Sequence, residues 1–146
     1  MELFHTNLIV LCGIPGSGKS TLAQQLAKIY DAKLYSYDDI SRGNRPGNSY
    51  EVHSNILLSI AEDLHNKTNI VWDDLNIRAE TRTKVLEAVS DIECNKILIV
   101  MTTPLGECIR RNAGRQHRLP DWVINHIYRK YQQPTLEEGW DEILYF

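Results

Sequence analysis

The feature that most limits what this chain can become is the stretch Gly13-Ile14-Pro15-Gly16-Ser17-Gly18-Lys19-Ser20-Thr21. Its G-x-x-x-x-G-K-S spacing predicts a turn whose glycines let successive backbone N–H groups point inward, forming an anion nest at a helix N-terminus. Lys19 then reaches the β- and γ-phosphates of a nucleoside triphosphate, and the Ser20 hydroxyl holds Mg²⁺. Gly13, Pro15, Gly16, Ser17, Gly18, Lys19, Ser20 and Thr21 are therefore the expected donor-binding residues. The flanks agree with this reading. Leu8 to Cys12 is an apolar run of the kind buried on both faces of a parallel sheet, and Thr21 to Tyr30 places Leu22, Leu26 and Ile29 on one helical face.

Strand and helix patterns alternate along the rest of the chain. Lys33 to Tyr37 is a short strand pattern ending at Asp38-Asp39, and Ser41 to Ser49 has the composition of a loop. A long helix follows from Tyr50 to Leu64, with Ser49 as its expected cap. Asn69 to Trp72 is a third strand, and it runs into a second acid pair, Asp73-Asp74. A helix over Ala79 to Val89, a strand over Ile97 to Met101, helices from Pro104 to Asn112 and Asp121 to Tyr131, and a strand over Ile143 to Phe146 complete the pattern. Such alternation predicts an α/β fold with a five-stranded parallel sheet and helices on both faces. Ligands bind beyond the carboxyl ends of such strands, where the loop and both acid pairs fall.

Composition narrows the function classes. The 146 residues suit one domain, 1–146, and the net charge of −3 argues against a protein that coats nucleic acid nonspecifically. Charge is nonetheless concentrated locally. Arg110, Arg111, Arg115, Arg118, Arg129 and Lys130 lie within one short stretch opposed only by Asp121, which predicts a cationic surface suited to phosphate. No apolar run approaches the roughly 18 residues of a membrane span, and the N-terminus lacks a signal-peptide pattern, so no membrane partner and a cytoplasmic location are expected. Cys12, Cys94 and Cys108 are too widely spaced for a thiolate metal site and read as reduced and at least partly buried. The five histidines form no ligand pair and read as structural or surface residues.

Phosphoryl transfer needs positioning, neutralisation of charge and a group that orients or deprotonates the nucleophile. Asp38 or Asp39 is the candidate proton acceptor; Asp73 or Asp74 is the candidate for holding Mg²⁺ or hydrogen-bonding Ser20 or Thr21. The arginines around 110–119, bracketed by Gly114 and Pro120, read as a lid that closes over the triphosphate.

On these residues the chain resembles the kinase domain of the phage-type polynucleotide 5′-hydroxyl kinases, across Leu8 to Phe146. The segment Tyr37-Asp38-Asp39-Ile40 is similar to that family's general-base segment, and the resemblance places the base on Asp38. Asp74-Leu75-Asn76, followed by Glu80 and Arg82, resembles the segment that places the active-site acid on Asp74, next to both acceptor and metal. Arg110 to Arg115 resembles the lid and implies a charge-stabilising role for Arg115, while Arg111 is expected to border the donor. Tyr37-Asp38-Asp39, Thr103-Pro104-Leu105 and Arg111-Asn112 are also similar to seryl-tRNA kinase-like phosphate-loop proteins. One position departs from the polynucleotide kinases: three residues after the base, where they carry an acceptor-binding arginine, stands Ser41, and the nearest arginine is Arg42.

The resemblance implies a phosphate-loop NTPase of the nucleotide-kinase type with strand order 2-3-1-4-5. It implies catalytic Lys19, Asp38 and Arg115, acceptor contacts from Asp39, Arg42 and Asp74, and metal contacts from Ser20 and Asp74. ATP and Mg²⁺ are the implied cofactors, and the implied acceptor is an RNA or DNA 5′ end. A small nucleoside-like alcohol or a tRNA-linked group is the alternative acceptor. A regulatory ATPase is the competing class.

Overall fold

The computed structural model describes residues 6–37 and 49–146, with Ser49 and Tyr50 as backbone only. Five strands, β1 (Asn7–Cys12), β2 (Lys33–Ser36), β3 (Ile70–Asp73), β4 (Asn95–Val100) and β5 (Glu142–Tyr145), form one sheet in the order β2-β3-β1-β4-β5. Every pairing is parallel, as expected from the alternation. β1 lies at the centre, with Leu11 beside Asp73 on one flank and Ile99 on the other. The helices are α1 (Lys19–Ile29), α2 (Ser49–His65), α3 (Ala79–Ala88), α4 (Leu105–Ala113) and α5 (Asp121–Arg129). Boundaries shift by a residue or two from the sequence expectation. Ser49, expected as a cap, is instead the first residue of α2.

Because side chains alternate across a strand, β1 feeds two cores. Ile9 and Leu11 join Val71, Ile99, Leu22 and Ala23 beneath α1. Leu8, Val10 and Cys12 face the other way, against Trp72 and the buried faces of α2, α3 and α5. On α2 that face is Ile56, Leu57, Ile60 and Leu64, a helical stripe, whereas Leu58 points outward. The central strands are covered on both sides, which explains why their sequences are apolar throughout.

A charged pair is buried in the larger core. Arg82 on α3 is fully enclosed, and its guanidinium forms a bidentate pair with Glu138, 2.9 Å from Nε to Oε1 and 3.0 Å from Nη2 to Oε2. The remaining donors go to backbone: Nη1 to the carbonyl of Asn76 at 3.0 Å and Nη2 to that of Gln132 at 2.9 Å. The Trp140 indole N–H donates to Glu138 as well, at 3.0 Å. Burial pushes the Glu138 carboxyl up, but Arg82 and Trp140 outweigh it and hold the group below the usual carboxylate range. One guanidinium thus fastens α3, the end of β3 and the segment after α5 together.

Two stability outcomes follow from this core. Arg82→Met leaves Glu138 without its cation and should cost about 3–5 kcal/mol in denaturant unfolding. Adding Glu138→Leu should recover part of that loss, the two carbonyls having still lost their donor. The second outcome concerns Cys12, fully enclosed, whose thiol burial pushes from 9.0 up to about 11 against the pull of Arg82 and Lys19. The native state therefore keeps a proton that the unfolded chain releases, so this contribution is intact below pH 9.0 and is lost as pH rises towards about 11. Chemical unfolding across that window should show falling stability, with a shallower slope in Cys12→Ala.

Candidate active site

β1 ends at Cys12, and the chain turns through Gly13 to Gly18 before entering α1 at Lys19. Gly16 and Gly18 have φ of 85° and 94°, a left-handed region costly to any side chain with a Cβ. Close approach matters equally at Gly16, where a Cβ would stand 2.3 Å from the carbonyl oxygen of Cys108 on α4. The loop is tied on several sides. Gly13 N–H donates to the Leu75 carbonyl at 2.9 Å, Thr103 Oγ1 donates to the Ser17 carbonyl at 2.8 Å, and Ser17 N–H reaches back to Ile14 at 3.2 Å. Ser17 Oγ is buried without a hydrogen-bond partner among the described residues and lies against Gly13, where a Cβ would stand 2.8 Å from it. These features fit an anionic phosphate group.

Ser20 Oγ donates to Asp73 Oδ2 at 2.9 Å. The acid that meets Ser20 is thus Asp73, buried at 6% exposure, one of the two acids that the sequence offered for this contact. Strand parity gives the reason. Val71 faces α1, so Asp73, two residues on, faces α1 too, whereas Asp74 lies beyond the strand end. That parity was available in the sequence once β3 was drawn.

Across a cavity of about 430 Å³, Gly16, Gly18, Lys19, Ser20 and Thr21 face Arg111 and Arg115. Arg111 sits on the last turn of α4, with Nε 3.1 Å from Glu107 Oε1, and Arg110 pairs with the same carboxylate. Hydrogen bonding from Arg110 and then Arg111 outweighs desolvation and holds the Glu107 carboxyl down to about 2. Asn112, to which the sequence analysis gave no role beyond the Arg111-Asn112 resemblance, organises the stretch that follows. It is fully buried, its Nδ2 donates to the Leu119 carbonyl at 2.7 Å, and its Oδ1 accepts from Leu119 N–H at 3.1 Å. The arginine-bearing segment is therefore closed at its base by one amide side chain. The only advance signal was a polar residue in the inward position of an amphipathic helix.

A larger cleft of about 1010 Å³ opens on the other side of Leu75, which lines both. Asp74 and Tyr37 line it, together with His53 from the first part of α2. Asp74 Oδ1 accepts from Leu75 N–H at 2.7 Å, and Oδ2 lies 3.4 Å from His53 Nε2. His53 thus has a partner in the cleft, where the sequence pointed only to a structural or surface role. Asp38, Asp39 and Arg42 lie outside the described residues. No group of three or more His, Cys, Asp or Glu side chains suited to a metal converges among the described residues. Cys12, Cys94 and Cys108 are free and buried, as expected. No helix among the described residues is long and apolar enough to cross a membrane.

Comparison with known proteins agrees with this geometry. The chain is 29% identical over 142 residues to L-seryl-tRNA(Sec) kinase of Methanococcus maripaludis, covering 92% of this chain and 56% of the relative. It is 25% identical over 145 residues to the bifunctional polynucleotide phosphatase/kinase of Schizosaccharomyces pombe, covering 95% of this chain and 33% of the relative. The chain therefore spans only about a third to a half of the length of these relatives. Among solved structures, Chaetomium thermophilum Kti12 in complex with ADP-AlF3 superposes with a TM-score of 0.71 at 17% identity, over 95% of this chain and 88% of that one. That likeness shows the fold. The family model described as AAA domain matches residues 8–134, from the strand before the phosphate loop to the segment beyond α5, and the chain belongs to that family of phosphate-loop kinase domains.

Proposed function

We propose that this chain is an ATP-dependent kinase that moves the γ-phosphoryl group of ATP to a hydroxyl, the 5′-hydroxyl of a polynucleotide end being the acceptor. The observation that carries the reading is the meeting of three groups around one cavity: the glycine cradle with Lys19, the Ser20–Asp73 pair, and Arg111 with Arg115. A nucleotide-binding switch needs the first two. Cations facing them from a separate helix and the turn after it suit a group whose charge is redistributed during transfer. The names of the relatives, a tRNA-directed kinase and a polynucleotide kinase, favour a nucleic-acid acceptor.

In this reading the loop amides and Lys19 hold the β- and γ-phosphates. Mg²⁺, when bound, neutralises phosphate charge, and Ser20 with Asp73 are the residues to hold it. Asp38 accepts the proton of the acceptor hydroxyl as its oxygen bonds to the γ-phosphorus, while the bond from that phosphorus to the β,γ-bridging oxygen breaks and ADP departs. Arg115 stabilises the charge on the phosphoryl oxygens, and the segment from 110 to 119 acts as the lid that brings it there. Asp74 belongs to the acceptor side, together with Asp39 and Arg42.

Incubation with labelled ATP and a panel of 5′-hydroxyl RNA and DNA oligonucleotides, aminoacylated tRNA and nucleosides tests this. Label should pass to a 5′-hydroxyl end. Lys19→Ala and Gly16→Val should abolish ATP binding by calorimetry. Asp38→Asn should lower kcat on the order of 10²- to 10⁴-fold with ATP affinity retained. ATP binding without transfer to any acceptor would defeat the kinase reading, as would full function in Asp38→Asn.

A further inference from the structure

His53 stands beside Asp74 on the proposed acceptor side, and the phosphoryl-transfer steps above give it no role. His53 is held from two sides: its ring lies edge-on against Trp72 at 5.8 Å between centroids, and the Tyr37 ring stands 6.2 Å away. Trp72 is itself fully buried, so the imidazole rests on a rigid floor. Asp74 is equally fixed, because Leu75 N–H occupies Oδ1 and turns Oδ2 towards His53. Nε2 faces an acceptor-only oxygen and is therefore the nitrogen that carries the hydrogen. The 3.4 Å between them exceeds a good hydrogen bond, and Nε2 is enclosed with no hydrogen-bond partner among the described residues. A preorganised donor and a preorganised acceptor thus stand side by side at the wall of the larger cleft, and neither satisfies the other.

The chemistry of such a pair selects its ligand. A phosphate or carboxylate would meet the charge of Asp74, and an ammonium would offer nothing to the imidazole N–H. A hydroxyl serves both groups, accepting from Nε2 and donating to Oδ2. Position sets the pair apart from the donor cavity. His53 and Asp74 line the larger cleft, whereas Lys19, Ser20 and Arg115 line the smaller one, with Leu75 between them. We propose that His53 and Asp74 read a second hydroxyl of the acceptor's sugar, one that is not phosphorylated, so that the enzyme favours a ribose-type acceptor over its deoxy counterpart. This rests on the kinase reading above and adds the sugar to it. His53 acts as a specificity and positioning residue.

The test compares matched acceptors that differ only in sugar hydroxyls: a 5′-hydroxyl oligoribonucleotide against its DNA counterpart, and a ribonucleoside against its 2′,3′-dideoxy form. In the wild type the hydroxyl-bearing partner should be favoured roughly 10- to 100-fold in kcat/KM, chiefly through KM. A preference confined to the oligonucleotide pair assigns the sugar to a polymer end, and one confined to the nucleosides assigns it to a free metabolite. His53→Phe keeps a ring against Trp72 and removes the donor; it should bring the two partners within about twofold while KM for ATP and kcat on the deoxy acceptor stay unchanged. His53→Leu, which also removes the donor, should have the same effect should the first variant unfold, with thermal midpoints confirming which variants are native. Equal use of both sugars by the wild type, or a preference surviving in a folded His53→Phe or His53→Leu protein, overturns the inference and leaves the kinase reading standing. Absence of transfer to every acceptor while ATP binds removes both.

Discussion

The site depends on how the end of β3 is fastened to the end of β1. Asn76, at φ 49° in the left-handed region, donates from its buried Nδ2 to the Leu11 carbonyl at 2.8 Å. Its neighbour Leu75 accepts from Gly13 at 2.9 Å, and Asn76's own carbonyl is taken by Arg82 at 3.0 Å. Asparagine tolerates that conformation better than most residues, and its short amide reaches a strand-end carbonyl that would otherwise lack a donor. These bonds fix the height of the phosphate loop relative to Asp73 and Asp74. Without them the Ser20–Asp73 contact and the wall at Leu75 would have no common frame.

From that frame the two acids diverge. Asp73 is the last residue of a pleated strand, so its side chain is committed to the α1 face and to Ser20. Asp74 has left the strand, and its carboxylate turns into the cleft beside His53. Adjacent carboxylates thereby face opposite sides of Leu75, one meeting Ser20 beside the loop cavity and one lining the larger cleft. The division arises from pleat geometry alone.

The opposite wall is built by close approach. α4 packs its backbone so tightly on the loop that only glycine fits at position 16, and this brings Arg111 to the cavity. Asn112 then closes the base of the following turn through Leu119, so that Arg115 projects from a segment anchored at both ends. Arg82 and Glu138 fasten the chain after α5 to the same β3 end, linking the wall of the larger cleft to the far side of the arginine segment through an ion pair.

Much of this was legible in the sequence. The spacing from Gly13 to Ser20 permits few structures other than a nest between a buried strand and a helix, and apolar runs without alternation mark strands covered on both faces; the loop and the parallel sheet follow from these short-range patterns, while the strand order came only from the resemblance. The acid pair at the end of β3 was equally visible, with either member open as the partner of Ser20, and it is the pleat that directs Asp73 there. Other features were decided only by packing. The roles of His53, Asn112 and Arg82 rest on partners 21, 7 and 56 positions away, brought into contact when helices settle on the sheet. A local pattern states which residues share a face. It does not state what that face meets, because such contacts depend on the distance and angle between elements, and these are set by the collective packing of the two cores.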